Sequence, residues 1–464
     1  MSADLFRASV RIARPASEVF AWHEKPGAFE RLLAPWERVE VVSASPSLAD
    51  GSRVTLRTRI GAQWLRWEVE HRDYVAGRQF RDIGLQGPFP EWNHLHRVDA
   101  LDAATCTLTD EIRYRLPGGA AGRFFGRAYV KRKLERLFAY RHAVTKADLE
   151  LHREQPVKRV LVAGASGLVG RALVPFLTTQ GHEAIKLVRR KPRAPDEIRW
   201  EPSIGQLDAG VLDGIDAVVN LSGANVAAQR WTDDWCLQIE QSRIQSARTL
   251  VQTMQKMHTK PSVFVCASAV GYYGNCADRV LTESEPRGEN FLARVCGGLE
   301  KEATVAQSFG VRVVNLRTGV VLTPAGGMLG KLVPLFRSGL GGSFGDPETW
   351  IGWISMDDHI SAILHAMIET RLSGAVNSVA PEPVRVKEFA TELAHALHRP
   401  SVFHVPRWAL TTAFGMMAVE TILSSQRAVP ARLLSSGFKF RHPTLMQALT
   451  HGLGAPPSSP RVLR

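Results

Sequence analysis

Cysteine is scarce in this chain: five residues in 464, none in a CxxC pair and none at zinc-finger spacing from a histidine. An odd set (Cys106, Cys236, Cys266, Cys276, Cys296) in a long chain excludes the disulfide framework of a small secreted protein. Reduced thiols in a cytosol are expected, and no metal site is read. No stretch approaches the roughly 20 apolar residues that span a bilayer. The N-terminal MSADLFRASVRIARP alternates and carries Asp4, where a signal peptide needs a continuous apolar run. A soluble, cytoplasmic protein without a membrane span is the expectation. Also missing is any Lys/Arg block on a DNA-reading helix or among stacking aromatics, although the net charge is +13. Nucleic acid is therefore not expected, and the basic surplus suits anionic ligands. Acid is nearly absent after Ser401, where Glu420 stands alone against seven Lys/Arg. Nothing in the sequence fixes an oligomeric state.

The residues that are present divide into two grammars. In 1–150, Phe6, Ala8, Val10 and Ile12 alternate with polar neighbours, as do Val54, Leu56, Thr58 and Ile60. Leu65, Trp67 and Val69 form a third set, and Leu108, Ile112 and Tyr114 a fourth. Period-2 alternation with one wet face predicts an antiparallel sheet. ASEVFAWHEKPGAFERLL reads as helix with Ser17 as its cap, and a long helix is predicted from about Gly122 to Leu151, with Val130, Leu134, Leu137 and Phe138 on one face. His94 and His96 share a strand face with Trp92, and Asp110 one with Leu108 and Ile112. Two readings stand for these polar residues: contacts inside a ligand cavity, or a hydrogen-bonded pair at a sheet edge. Strand, short helices, antiparallel strands and a long last helix describe an α+β helix-grip fold. With GPFPEWNHLHRV and RLFAYRH, this half resembles the START-like (SRPBCC) superfamily. The resemblance implies an apolar cavity for an unknown small ligand between sheet and helix.

After a polar linker at 151–156, KRVLVAGASGLVGRALVPFLTTQGHEAIKLVRR reads as apolar strand, glycine turn, helix and strand. DAVVNLSG, PSVFVCASA and VRVVNLRTGVVL continue the alternation, which predicts an α/β doubly wound parallel sheet of Rossmann type over 157–400. Gly164-Ala165-Ser166-Gly167-Leu168-Val169-Gly170 lies between strand and helix, where a dinucleotide pyrophosphate is held. Gly164 permits the tight turn, Gly167 the approach of the pyrophosphate, and Gly170 close packing of the helix. The helix N-terminus adds free N–H groups and partial positive charge. At the end of the second strand, Val188 precedes Arg189-Arg190-Lys191, where an NAD enzyme usually has an acid for the ribose 2′-hydroxyl. Bases there accommodate a 2′-phosphate, so NADP(H) is favoured over NAD(H). Arg243 is placed either to reach a phosphate or to pair with Glu240.

The GxxGxxG spacing, with RWTDDW, SRIQSARTL, ASAVGYYG, RTGVVLTPAGG and WISMDDH, resembles the atypical extended short-chain dehydrogenase/reductase family of NAD(P)-dependent epimerases. The stretch PSVFHVPRWAL to SSGFKFRHPTL resembles that family's own C-terminal extension, giving a small subdomain over 401–450 before a tail at 451–464. The resemblance implies that Leu221, Ser222 and Gly223 wall the cofactor site and that Ser268 matches the catalytic serine. Typical members also carry Tyr-x-x-x-Lys, in which lysine lowers the tyrosine pKa for proton exchange with substrate. Here ENFLARVCGGLEKEA places Leu292 and Cys296 at those positions, leaving Tyr272 and Tyr273 as alternative phenols. Asp357 and Asp358 read as a structural helix start, His359 as an acid/base candidate, and Pro324–Met328 and Arg337–Gly345 as mobile loops over a cleft. Two functions follow: an oxidoreductase or epimerase of unusual mechanism, or a dinucleotide-binding module without turnover that regulates the N-terminal half.

Overall fold

The computed structural model describes residues 3–151 and 156–455, which form two compact units dividing after residue 155, with Thr178–Gly181 grouped with the first. Residues 152–155 of the expected linker and 456–464 of the expected tail lie outside the described residues.

The first unit contains β1 (Asp4–Ile12), α1 (Ala16–Glu24), α2 (Ala28–Arg31), β2 (Val39–Ala44), β3 (Arg53–Ile60), β4 (Gln63–Val75), β5 (Gln79–Gln86), β6 (Glu91–Ala100), β7 (Cys106–Arg115) and α3 (Gly119–Leu151). Its seven strands form one antiparallel sheet in the order β1-β7-β6-β5-β4-β3-β2. The alternating apolar residues face inward: Phe6, Ile112 and Tyr114 pack with Leu134 and Phe138 of α3. The predicted first helix is broken, because Pro26 holds Lys25 in extended backbone and Gly27 turns left-handed. Pro15, not Ser17, occupies the cap position, with no side-chain cap bond. Arg31 and Asp148, both buried, tie α2 to α3 through a forked pair at 2.9 and 3.0 Å. A cleft of about 980 Å³ at the head of α3 is lined by Arg115, Arg123, Arg127 and Lys131 together with Asp4, Leu116 and Phe124.

His94 and His96 are not at a sheet edge; β6 is the third strand of seven. Register aligns His71, Asp82 and His94 in one row, and Phe80, His96 and Asp110 in the next. His142 of α3 closes the cluster on Asp110. Burial opposes the charge on His96, but Asp110 and then Asp82 outweigh it and raise its pKa to about 9. Burial pushes His94 down to about 4.

The second unit opens with β8 (Arg159–Ala163), α4 (Leu168–Thr179), β9 (Glu183–Val188), β10 (Glu197–Arg199), β11 (Ala217–Asn220), α5 (Asp233–Lys256), β12 (Val263–Ala269) and α6 (Phe291–Thr304). β13 (Arg312–Thr318), α7 (Gly327–Arg337), α8 (Met356–Ile368), β14 (Gly374–Ser378) and α9 (Val386–Leu397) follow. Seven parallel strands run in the order β10-β9-β8-β11-β12-β13-β14, with Val160–Ala163, Ala217–Val219 and Val263–Cys266 buried throughout. Strand order reverses between β8 and β11, and ligands bind such sheets beyond the carboxyl ends of the strands at that point.

The C-terminal extension shares an apolar cluster with this unit, in which Leu410, Leu423, Leu445 and Leu449 meet Leu329, Trp353 and Phe389. Residues 337–345, expected to be mobile, are pinned: Gly342–Phe344 pairs in parallel with Phe403–Val405, and a Cβ at Gly342 would stand 1.7 Å from the Phe403 carbonyl oxygen. Asp358 begins α8 fully buried and accepts from the backbone N–H of Arg441 at 2.6 Å, from that of His442 at 3.1 Å, and from the Ser355 hydroxyl at 2.7 Å. Asp357 accepts from His451 at 2.8 Å. The acid pair thus anchors the extension. Hydrogen bonds to a charged group contribute about 1.5–3 kcal/mol each, and orphaned buried N–H groups add a penalty. Asp358→Ala is expected to lower stability by about 3 kcal/mol or more, read as a shifted urea midpoint in tryptophan fluorescence.

Candidate functional site

The loop after β8 is built so that its glycines admit no side chain. Gly164 has φ +83°, and a Cβ there would lie 2.7 Å from the Leu221 carbonyl group. At Gly170 it would lie 2.3 Å from the Gly164 oxygen, so the first turn of α4 seats directly on the glycine turn. Gly167 is exposed with Ser166 and Leu168, and a Cβ there would meet the Gly164 oxygen at 3.2 Å. The Gly167 N–H is taken by the Gly164 carbonyl at 3.0 Å, and the next N–H to bond back is that of Arg171, to the Gly167 carbonyl at 3.0 Å. The N–H groups of Leu168, Val169 and Gly170 therefore stand outside the helical ladder, free for an anion. Ala165 is half-buried in the same turn. Leu221, Ser222 and Gly223 run alongside, fixed by the bond from Leu221 N–H to the Ala163 carbonyl at 2.9 Å.

The basic residues separate in role. Val188 ends β9, and Arg189 follows, exposed, with no hydrogen bond or ion pair among the described residues. Arg190 is already spent: its guanidinium forks onto Glu197 at 2.8 and 2.7 Å. Arg190, with the Arg193 N–H, holds the Glu197 carboxyl down at about 2. Of the two arginines, Arg189 is the one whose guanidinium is uncommitted among the described residues. Arg243 does not pair with Glu240. It donates to the Ile239 carbonyl at 3.0 Å and lies under Gly223, where a Cβ would meet its Cζ at 3.0 Å. Burial lowers its pKa, and no carboxylate compensates.

Ser268, at the end of β12, donates to Glu300 of α6 at 2.7 Å. Arg317 of β13 forks onto the same carboxylate at 3.0 and 2.9 Å and donates to the Tyr273 oxygen at 3.1 Å. Tyr273 donates in turn to Asn377 at 2.7 Å. Every member of this chain is at least nine-tenths buried. Burial raises the Tyr273 pKa to about 12 against the pull of Arg317. Its hydroxyl is committed on both sides and unsuited to proton exchange with a substrate at neutral pH. Tyr272 differs: it is half-buried, its ring lies 3.4 Å from the Arg317 Cζ, and its hydroxyl has no partner among the described residues. Leu292 and Cys296, which the family resemblance sets against the usual tyrosine and lysine, both lie on α6. Leu292 packs near Gly271, and burial raises the Cys296 thiol to about 11. His359 donates or accepts with Ser378 at 2.9 Å, and burial lowers its pKa to about 4, which makes it a core histidine.

Glu300, Arg317 and Asn377 were not among the residues expected at the site. Glu300 lies within ENFLARVCGGLEKEA and Arg317 within RTGVVLTPAGG, but nothing in either string shows that the two meet.

The NAD dependent epimerase/dehydratase family is matched over residues 160–378, and a domain of unknown function, DUF1731, over 405–451. An epimerase family protein of Mycobacterium bovis is 41% identical over 297 residues, covering 64% of this chain and 98% of that protein. Human SDR39U1 is 32% identical over 294 residues, covering 63% and 98%. Among solved structures, a nucleoside-diphosphate sugar epimerase from Corynebacterium glutamicum matches with TM-score 0.79 at 31% identity, over 97% of this chain and 90% of that one. Human SDR39U1 with NADPH matches with TM-score 0.59 at 29% identity, over 63% of this chain and 97% of that one. With relatives covered almost end to end and the glycine loop and parallel sheet in place, the chain belongs to the SDR39U1-like epimerase family, an NAD-dependent epimerase domain followed by DUF1731.

Proposed function

We propose that the second unit is an NADP(H)-dependent oxidoreductase or epimerase acting on a small apolar or cyclic compound. The observation that carries this reading is the glycine loop between β8 and α4, with an unpaired Arg189 at the end of β9. The Gly164–Gly170 backbone holds the pyrophosphate, Arg189 takes the 2′-phosphate, and Leu221–Gly223 wall the adenine side. Arg243, half-buried without a counter-ion, supplies a second phosphate contact. The NADPH in the human relative's structure supports the same preference. When bound, the nicotinamide supplies hydride exchange. Ser268 has its proton directed at Glu300, so its oxygen is placed to accept from a substrate hydroxyl, and Tyr272 offers the open phenol.

In the first unit, a seven-stranded antiparallel sheet with one long covering helix supports the START-like reading, and we assign it the binding of a small apolar ligand. Five free cysteines suit a reducing cytosol. A second reading has its own support, since Leu292 and Cys296 replace the usual pair and Tyr273 is spent. On that reading the unit binds NADP(H) without turnover, and occupancy regulates the first unit.

Titration with NADPH and NADH by nucleotide fluorescence tests the cofactor site. Arg189→Ala is expected to weaken NADPH about 10–100-fold, the worth of a charge-assisted contact, and to leave NADH unchanged. Gly167→Asp, which sets a carboxylate beside the pyrophosphate, is expected to abolish both. Failure of the wild type to bind either nucleotide sinks both readings.

The tyrosines separate by a second measurement. Tyr273→Phe is expected to cost about 1–3 kcal/mol of stability with NADPH binding intact. Tyr272→Phe is expected to keep stability and remove isotope exchange at nicotinamide C4 with carbonyl substrates. Absence of exchange in the wild type across such compounds favours the silent module.

A further inference from the structure

The polar cluster inside the first unit has no part in the dinucleotide site. Two carboxylates, Asp82 and Asp110, stand on either side of the rings of His94 and His96. On the Asp110 side the contacts are hydrogen bonds: His94 Nε2 at 2.9 Å and His96 Nδ1 at 2.7 Å, both to Oδ1. On the Asp82 side the same rings stand farther off: His96 Nε2 makes a longer hydrogen bond to Oδ2 at 3.3 Å, and His94 Nδ1 lies 3.7 Å from it. Charge-assisted N–H···O bonds run about 2.7–2.9 Å. Two ligand atoms sharing a tetrahedral metal at about 2.0–2.1 Å stand roughly 3.3–3.5 Å apart. The Asp110 side of each ring has short hydrogen-bond spacing, and the longer spacing on the Asp82 side is close to that of co-ligands.

The proton ledger points the same way. A neutral imidazole carries one N–H. If His94 and His96 each give theirs to Asp110, each turns a lone pair toward the Asp82 oxygen. Two ring nitrogens and the Asp82 oxygen then face one point, which either a proton on His96 or a metal ion fills. Asp82 is held from its far side, where Oδ1 lies 2.8 Å from His71 Nδ1, and His142 Nε2 lies 2.6 Å from the other oxygen of Asp110. Metal-bound histidines characteristically pass their second N–H to a carboxylate, which fixes ring and tautomer. Strand register imposes this arrangement, since Asp82 pairs with His94 and His96 with Asp110. Phe80 stacks on the His96 ring at 4.3 Å.

We propose that Asp82, His94 and His96, each offering a ligand atom within 4.8 Å of the others', form a binding site for a divalent first-row transition metal through Asp82 Oδ2, His94 Nδ1 and His96 Nε2. Asp110 is its positioning residue. Two histidines and one carboxylate leave a coordination position for water or an oxygen donor, as in zinc sites with an open face. Asp82 and His96 keep 19% and 13% side-chain exposure against 3% for His94, which puts that open position on their side. Cysteine pairs and finger spacings do not reveal these ligands, which come from two adjacent strands, β5 and β6.

The test uses the full-length protein after chelator treatment and gel filtration. Titrated with Co(II) chloride, it is expected to bind one equivalent with d–d absorption of a low-symmetry site, and Zn(II) chloride should displace it. Two exchangeable, hyperfine-shifted imidazole N–H signals are expected from the rings bonded to Asp110, a readout that needs no variant. Asp82→Asn and His94→Ala should remove the absorption, and Asp110→Asn should weaken binding about 10–100-fold. Wild-type protein that takes up no Co(II) or Zn(II), or that lacks the two shifted signals when loaded, overturns the proposal. So does uptake unchanged in folded Asp82→Asn protein. In either case the cation in the cluster is a proton.

Discussion

The ion pair of Glu300 and Arg317 is the constraint around which the second unit's interior is arranged. Two charges taken out of water are tolerated only when nearly every lone pair and N–H finds a partner. The partners are Ser268 for the carboxylate, and Tyr273 and the Glu283 carbonyl for the guanidinium. Asn377 takes the tyrosine proton and passes its own to the Leu281 and Val429 carbonyls. One buried pair thereby ties together the ends of three neighbouring strands, helix α6 and, through Val429, the middle of the C-terminal extension. The burial of Tyr273 follows from that network.

The extension is held by the same kind of bond. Asp358 collects backbone N–H groups from residues 441 and 442, and Glu420 accepts from the N–H groups of Phe291 and Leu292 at 3.3 and 3.1 Å. Glu420 is the lone acid after Ser401, and it sits at the N-terminus of α6, where a negative charge is favoured. A stretch that reads as a basic appendix therefore carries its one carboxylate where it orients the helix bearing Glu300.

What the sequence made legible was local. The glycine loop, the apolar strands and the alternation of the first half all depend on neighbours within a few residues, where spacing is geometry. Arg189 was readable because its strand end is fixed by the same β-α-β unit, yet the engagement of Arg190 by Glu197 needed the third strand. Glu300 and Arg317 are 17 positions apart, on a helix and a strand, and no periodicity links them. The histidine cluster was half visible: His94 and His96 share a face by alternation, but Asp82 and His142 reach them only through register and helix placement. The break at Pro26–Gly27 was a local signal outweighed by an apolar pattern continuing across it. The pinning of residues 337–345 was invisible, since glycine-rich composition fits a tight strand pairing as well as a loop.

On the proposed reading, Leu292 and Cys296 in place of the usual tyrosine and lysine change the electrostatics of the site as well as its inventory. A lysine beside a tyrosine presents an uncompensated cation, whose field favours phenolate. Here the cation facing a free phenol is Arg317, stacked on Tyr272 and held in its charged form by Glu300 despite burial. Its charge is largely answered by that carboxylate within 3 Å, so Tyr272 feels the field of a dipole, which falls faster with distance than that of a bare charge. On the proposed enzymatic reading, proton transfer through this framework would rely on Ser268 and the pair behind it. Such a site suits a substrate whose proton moves easily, or a cofactor held without transfer. Both proposed functions share this origin, and the chemistry of the bound compound decides between them.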